Sequence, residues 1–365
     1  MEQSPNIVEQ IISNLNQRYG LTVRLGIVED SRLLPMANKA TMTIRCNYRL
    51  LLMFQLYHMG NADLLVKYFL THKFMSYHLY DDAKHWMEQT EATAAQVMGG
   101  GGIVSMLSSI RDIFRNTSNG IHVSQDEIRL FQLLFVVLHE YSHCAFYQRD
   151  DLKKEYFDWV REINSEVQHH MSAAKPSDNI PWWMKLLSMN QMGRDFIGHV
   201  LDLNEATVSD DRKTEEFACD LHAWRVLATV LHHGGYSVDE QILIFTAMVE
   251  ALYCLENYKL LDDCLSRKID MSKAESTSVF DSMRYAWLTH AIVMYLEGCQ
   301  KGKGLEFDRQ FSLLRWNERK DYIHLIVKYV PLTADLEKGA QLPDKKVADD
   351  LYLKISQMEN KLIDD

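Results

Sequence analysis

A long apolar helix with a clearly marked start is the feature that most limits how this chain can fold. Ser124 and Glu127 form a capping box, and from there apolar residues recur at helical spacing as far as Phe146. Residues 130–138 are apolar at most positions. A helix that is apolar around most of its circumference is buried, so we expect the rest of the fold to pack around it.

The composition agrees with a mainly helical fold. Only 6 Pro and 16 Gly occur in 365 residues, which argues against a β-rich fold full of tight turns, and 18 Met suit helices. Residues 21–29 and 39–46 alternate apolar and polar side chains and include β-branched residues. They predict a short hairpin, or two strands of a small sheet, as an N-terminal β element.

Charge and cysteine usage exclude several classes of protein. The 39 basic and 50 acidic residues leave a net charge of −11, which disfavours nucleic acid as the main partner. None of the six cysteines forms a C-x-x-C pair, so buried reduced thiols are expected. No signal peptide or membrane-spanning stretch is visible. These features predict a soluble cytoplasmic protein with no membrane partner.

The apolar helix contains the motif H-E-x-x-H at residues 139–143. Helix positions i and i+4 lie about 40° apart and one turn along the axis, so His139 and His143 can bind one metal ion. Glu140 can reach a water on that metal and act as general base and then acid. Imidazole ligands suit Zn²⁺. The alternative is two hydrogen-bonded core histidines with a solvent-facing Glu140.

A catalytic zinc site needs a third protein ligand, and residues 214–223 supply candidates. Glu216 and Asp220 are again at i and i+4, so we assign Glu216 as the third ligand. Asp220 is then expected to accept the outer N–H of a ligand histidine. Glu215 is the alternative third ligand if the helix is rotated. A solvated acidic helix start is the simpler interpretation of this segment.

Two further residues of this second helix help to define its faces. Ala223 falls on the face of Glu216, where its small side chain allows close packing against the motif helix. His222 lies about 240° around the helix from Glu216. We therefore expect His222 to be a packing or surface residue that does not bind the same metal.

H-E-x-x-H followed by E-x-x-x-D on a later helix resembles the signature of gluzincin-type zinc metallopeptidases. The chain looks most like the soluble phage-exclusion (Lit-type) peptidases of bacteria, which combine H-E-x-S-H with a later E-x-x-A-D-x-H-A segment. Residues 139–143 and 216–223 match these elements, except that Cys219 replaces the Ala before Asp. The resemblance covers these two helices, and it implies a zincin-like helical metallopeptidase.

Two departures from that family affect the rest of the chain. The segment between the two motifs is longer than the resemblance leads us to expect, which predicts a helical insertion at about 150–205. The T-H-P segment that often precedes an Arg in such families is missing, but Arg284 is in place. The resemblance implies a substrate- or oxyanion-contacting role for Arg284, and a surface arginine is the alternative.

The expected organisation has three parts. Residues 1–102 form an N-terminal region with a short hairpin and helices, 103–300 form the zinc peptidase core, and 301–365 form a C-terminal helical region. A flexible linker is the simplest interpretation of the four glycines at 99–102, and a loop beside a substrate cleft is the alternative.

Together these patterns predict an intracellular zinc endopeptidase that cleaves a peptide bond in a protein substrate. The family resemblance implies a role in bacterial defence against phage or in regulation. The rival interpretations are a non-catalytic protein that a zinc site stabilises and a metal-free helical interaction protein with a chance motif.

Overall fold

The chain is described here from a computed structural model. The description covers residues 7–28, 33–47, 49–58, 65, 68, 123–172, 210–265, 284 and 287–308. Helices dominate this part of the chain, and a small mixed sheet lies near its N-terminal end. The predicted fold class, mainly α with a small N-terminal β element, is confirmed.

The N-terminal part consists of one helix, three strands and a second helix. Their bounds are α1 Ile7–Tyr19, β1 Arg24–Val28, β2 Met36–Asn38, β3 Thr43–Asn47 and α2 Leu50–His58. The strand order is β1-β3-β2, with β1 parallel and β2 antiparallel to β3. The two predicted strands therefore pair side by side in parallel and do not form a hairpin with each other. The antiparallel partner of β3 is the short strand β2.

The predicted central helix is α3, Gln125–Gln148. Its start has the predicted capping box, in which the Ser124 hydroxyl accepts from the Glu127 N–H and the Glu127 carboxylate accepts from the Ser124 N–H. Apolar residues on several faces are buried, among them Phe135 and Leu138. Helix α3 contacts α1 and α2, the edge strand β2, and three further long helices.

Those three helices are α4 Asp150–Ser172, α5 Asp211–His233 and α6 Val238–Leu265. Residues 287–299 and 303–308 are also helical. The Asp210 carboxylate caps α5 by accepting from two backbone N–H groups. The helix ends at Gly234, and Gly235 follows with a φ of 78°, a left-handed conformation that favours glycine. Aspartates at the start and a Gly-Gly pair at the end are sequence signals for a helix over this range, and both ends of α5 lie at these signals.

Several predictions concern residues outside the described part, including the glycine tract at 99–102, most of the predicted helical insertion and most of the C-terminal region. The predicted domain bounds therefore remain predictions. Among the described helices, none has the length and apolar character needed to cross a membrane. Four described cysteines are buried free thiols, whereas Cys299 is exposed.

Candidate metal centre

The two motif histidines lie one turn apart on α3 and present their Nε2 atoms to the same place. The ring centroids of His139 and His143 are 5.0 Å apart. Their third neighbour is Glu216 of α5, whose Oε2 is 3.4 Å from His139 Nε2 and whose Oε1 is 3.6 Å from His143 Nε2. One ligand atom from each of the three residues lies within 4.8 Å of the others, so this group can hold a metal ion.

The packing of α5 decides between the two candidate glutamates. Glu216 faces both Nε2 atoms, whereas Glu215 lies on the outer side of His143, with its Oε1 3.1 Å from Nδ1. Neighbouring helical residues point about 100° apart, so the two glutamates face different atoms. In the orientation of α5 that turns Glu216 toward the histidines, Ala223 and Phe217 are buried. The structure therefore places Glu216 in the candidate metal-binding group and puts Glu215 beside the outer nitrogen of His143.

Asp220 lies behind His139. Its Oδ1 is 2.8 Å from His139 Nδ1, and its side chain is almost completely buried. Because a carboxylate only accepts hydrogen bonds, Nδ1 must carry the hydrogen. This hydrogen bond fixes the ring in the orientation in which Nε2 faces Glu216. Carboxylates orient metal-binding histidines through such a contact in many proteins, and that role for Asp220 stays a prediction.

Arg284 lies further behind the same histidine. Its Nε and Nη2 donate to the two oxygens of Asp220, and its Nη1 donates to Glu256 at 2.8 Å. Its Nη2 is also 3.7 Å from Glu216 Oε2. The guanidinium is buried and surrounded by carboxylates. It bonds to Asp220, which in turn bonds to His139. Contact between Arg284 and a substrate stays a prediction.

The electrostatics of this group favour a cation at its centre. Burial by itself lowers the pKa of His139, but the charge of Asp220 and the hydrogen bonds to Asp220 and Glu216 outweigh it and raise that pKa to about 10. Burial opposes ionisation of Glu216, yet His139 and Arg284 hold its pKa well below the usual range. The same carboxylates that favour a proton on His139 would favour a metal cation at its Nε2.

The sum of charges leads to the same conclusion. Four carboxylates and three basic side chains are bonded directly or in series to the two histidines, and Glu140 adds a fifth carboxylate next to His139. With both histidines neutral, as metal binding requires, the formal charges of these side chains sum to two more negative than positive, which a divalent cation would neutralise. The members are Glu215, Glu216, Asp220, Glu256, Lys39, Lys153 and Arg284.

Strand β2 holds the glutamate of the motif. The backbone N–H of Ala37 donates to Glu140 Oε2 at 2.6 Å. In the antiparallel register Ala37 stands opposite Ile44, and its N–H points away from β3 toward α3. Sequence reasoning missed this contact, as it missed Lys39, Lys153 and Glu256, because no local pattern marks them.

His222 lies on α5 but outside the metal-binding group, as predicted. It is fully buried, with Nδ1 2.7 Å from Ser142 Oγ and Nε2 3.2 Å from the Tyr19 hydroxyl. Its ring centroid is 5.0 Å from that of Tyr156. His222 is therefore a packing residue of the core.

Fold and site together define a mainly helical protein with a two-histidine, one-glutamate candidate metal centre. The chain matches no protein-family model, no curated protein and no solved structure. The resemblance to the gluzincins therefore rests on the two sequence motifs alone.

Proposed function

We propose that this protein is a zinc-dependent endopeptidase of the gluzincin type, which hydrolyses a peptide bond in a protein substrate. One observation carries the proposal: the Nε2 atoms of His139 and His143 and the carboxylate of Glu216 converge within 4.8 Å, with Glu140 next to the first ligand. Three protein ligands that leave a coordination position open are the pattern of catalytic zinc sites.

The donor atoms suit zinc among the common divalent metals. Two imidazole nitrogens and one carboxylate oxygen form a known zinc ligand set, whereas Ca²⁺ and Mg²⁺ prefer oxygen ligands alone. When bound, such an ion acts as a Lewis acid that makes water more acidic and polarises a carbonyl. The Glu216 side chain is 33% exposed, so its carboxylate is accessible to solvent.

Glu140 supplies the proton transfers in this proposal. Its carboxylate accepts a proton from the attacking water and later passes it to the leaving amine. The Ala37 N–H holds Glu140 Oε2 from the side of β2, which restricts how the carboxylate can turn. A fixed base next to the reacting atoms avoids the entropic cost of orienting it during each turnover.

Asp220 and Arg284 act through His139. The aspartate accepts from Nδ1, and the arginine holds both oxygens of that aspartate in the core. This series of bonds keeps the imidazole in the orientation that a metal ligand needs. Arg284 is therefore a positioning residue in this proposal.

The proposed cellular setting follows from the motif resemblance to the phage-exclusion peptidases. We extend the proposal to a cytoplasmic enzyme that cleaves a specific protein in anti-phage defence or regulation. Its partners are then protein or peptide substrates.

The test combines metal analysis with mapping of new protein N-termini in cells. Purified full-length protein is expected to contain close to one equivalent of zinc, and Glu140→Gln is expected to keep it. New N-termini should appear in cells that express the wild type and be absent with Glu140→Gln. Glu162→Gln, the same chemical change at an exposed position of α4, is the matched control and should behave as the wild type does.

Two results would contradict the proposal. Protein purified without chelators that contains less than half an equivalent of zinc argues against a zinc site. A cellular effect that survives Glu140→Gln, with metal retained, indicates the rival role of a zinc-stabilised interaction protein.

A further inference from the structure

We propose that Glu215 is a positioning residue that holds His143 for metal binding, and that Lys39 and Lys153 fix Glu215 in that role. The inference rests on the proposed function and extends it to a residue for which the motifs assign no such task. Glu215 Oε1 lies 3.1 Å from His143 Nδ1, on the side of the ring opposite Glu216. The two motif histidines would then each have a carboxylate of their own.

The direction of this hydrogen bond determines which nitrogen of His143 is available. An ionised carboxylate has no hydrogen to donate, so Nδ1–H must be the donor. The lone pair of a neutral imidazole is then on Nε2, the atom that faces Glu216 at 3.6 Å. Glu215 thus selects the tautomer that can bind a metal at the shared position.

Cys219 is a second neighbour of the same nitrogen. Its Sγ lies 3.4 Å from His143 Nδ1. The cysteine is a free thiol and is fully buried. A neutral sulfur is a weak acceptor, whereas hydrogen bonds to an ionised carboxylate are about twice as strong as neutral ones. The stronger bond at Nδ1 is therefore the one to Glu215.

Two lysines from different parts of the chain hold the Glu215 carboxylate. Lys39 Nζ lies 2.5 Å from Oε1 and Lys153 Nζ lies 3.0 Å from Oε2. With one cation on each oxygen, the carboxylate has little freedom to turn away from His143. Ion pairs at a protein surface usually contribute little by themselves, but here they orient a group that is only 15% exposed.

Lys39 also connects the small sheet to the site. It follows β2 directly, and two residues earlier Ala37 donates its N–H to Glu140. The same short stretch thus contacts the proposed base and the carboxylate behind His143. Lys153 is on α4, so Glu215 joins three separate parts of the fold at one ligand.

The test is the affinity of the full-length protein for Zn²⁺, measured by competition with a chromophoric chelator. Loss of an outer partner of a ligand histidine typically weakens metal binding by about 10–100-fold, and we expect this for Glu215→Ala. Glu215→Gln keeps an acceptor oxygen in place and should recover most of the affinity. Lys39→Met and Lys153→Met should each weaken binding by a few-fold, whereas the matched control Lys154→Met on the same helix should not.

A second measurement separates positioning from general stability. With Co²⁺ bound at saturation, the visible d–d spectrum reports the geometry of the ligands. We expect Glu215→Ala to change this spectrum and Glu215→Gln to restore it, with circular dichroism confirming that both variants are folded. A Glu215→Ala protein with wild-type affinity and spectrum would overturn the inference, as would a Cys219→Ala variant that alone reproduces the loss.

The outcomes also distinguish this inference from the proposed function. Wild-type protein that binds no metal contradicts both. Metal binding that Glu215→Ala leaves unchanged contradicts only the role of Glu215. A wild type that binds metal but cleaves no protein contradicts only the peptidase proposal, and the role of Glu215 still stands or fails on metal affinity.

Discussion

Helices α3 and α5 hold two buried histidine clusters with opposite electrostatic character. In the candidate metal-binding group, burial by itself lowers the pKa of His139, but the neighbouring Asp220 and Glu216 raise it to about 10. In the other cluster, His222 is fully buried, and burial, assisted by Arg225 and Arg18, lowers its pKa to about 3.

The difference lies in the hydrogen-bond partners. Ser142 Oγ donates its only hydrogen to the Leu138 carbonyl, so it accepts from His222 Nδ1–H, and the Tyr19 hydroxyl can donate to Nε2. A neutral imidazole satisfies this arrangement, and no described carboxylate bonds to it. Burial and hydrogen bonding are therefore not enough to make a metal ligand, because the neighbouring carboxylates decide whether a cation is favoured.

The largest expected effect is on metal content. His143→Ala removes one of three ligands and should reduce bound zinc from about one equivalent to almost none after dialysis. His222→Phe changes the other buried histidine and should leave the metal content unchanged. Elemental analysis of both proteins checks this, and loss of zinc from His222→Phe in a folded protein would show that the two clusters are not separate.

The next effect concerns stability. Asp220→Asn removes the charge that faces the buried Arg284, and breaking a buried ion pair typically costs about 3–5 kcal/mol. Since Glu256 still pairs with the arginine, we expect the free energy of unfolding to fall by about 3 kcal/mol. Urea unfolding of protein prepared without metal measures this loss. Ser142→Ala, in the carboxylate-free cluster, should cost only about 1 kcal/mol.

A double-mutant cycle sharpens this prediction. Adding Arg284→Met to Asp220→Asn removes the uncompensated charge, so the double variant should be more stable than the sum of the two single changes implies. Additive costs would mean that the two side chains do not stabilise each other, and that the charged cluster differs little from the neutral one.

The pH dependence of stability separates the clusters again. The pKa of His222 is lower in the folded protein than the ordinary value of about 6.5, so the unfolded chain binds more protons between pH 3 and 6.5. Its contribution to stability is fully present above pH 6.5 and is lost as pH falls toward 3. Between pH 6.5 and 4.5 the wild type should lose about 2 kcal/mol more than His222→Phe. Parallel curves from urea unfolding would contradict the assignment of His222 as a neutral core residue.

Sequence reasoning predicted those parts of the fold that depend on local pattern. The capping box at Ser124 and the apolar period set the course of α3, and Asp210 and Gly234 set the ends of α5. Strand β2 was missed because three residues are too short to show alternation. The parallel pairing of β1 with β3 was not foreseen, since it depends on how the chain crosses between them.

The candidate site, like the fold, was predictable where it depends on local sequence pattern. His139, Glu140 and His143 follow from one motif, but the choice between Glu215 and Glu216 depends on the rotation of α5, which tertiary packing determines. The partners of Glu215 could not be foreseen at all. Lys39 is 176 residues from Glu215 in sequence, and no local pattern links a lysine after a short strand to a distant helix.

The smallest expected effect tests the outer edge of the neutral cluster. Tyr19→Phe removes the hydroxyl that lies 3.2 Å from His222 Nε2, and loss of one such bond costs about 0.5–1.5 kcal/mol. Since the tyrosine side chain is only partly buried, water can replace part of the lost bond, and we expect the lower end of this range with unchanged zinc content. Calorimetry and elemental analysis on the same sample check both. A change in zinc affinity from Tyr19→Phe would mean that the bonds from Tyr19 through His222 to Ser142 act on the adjacent His143, and that the two clusters are coupled through α3.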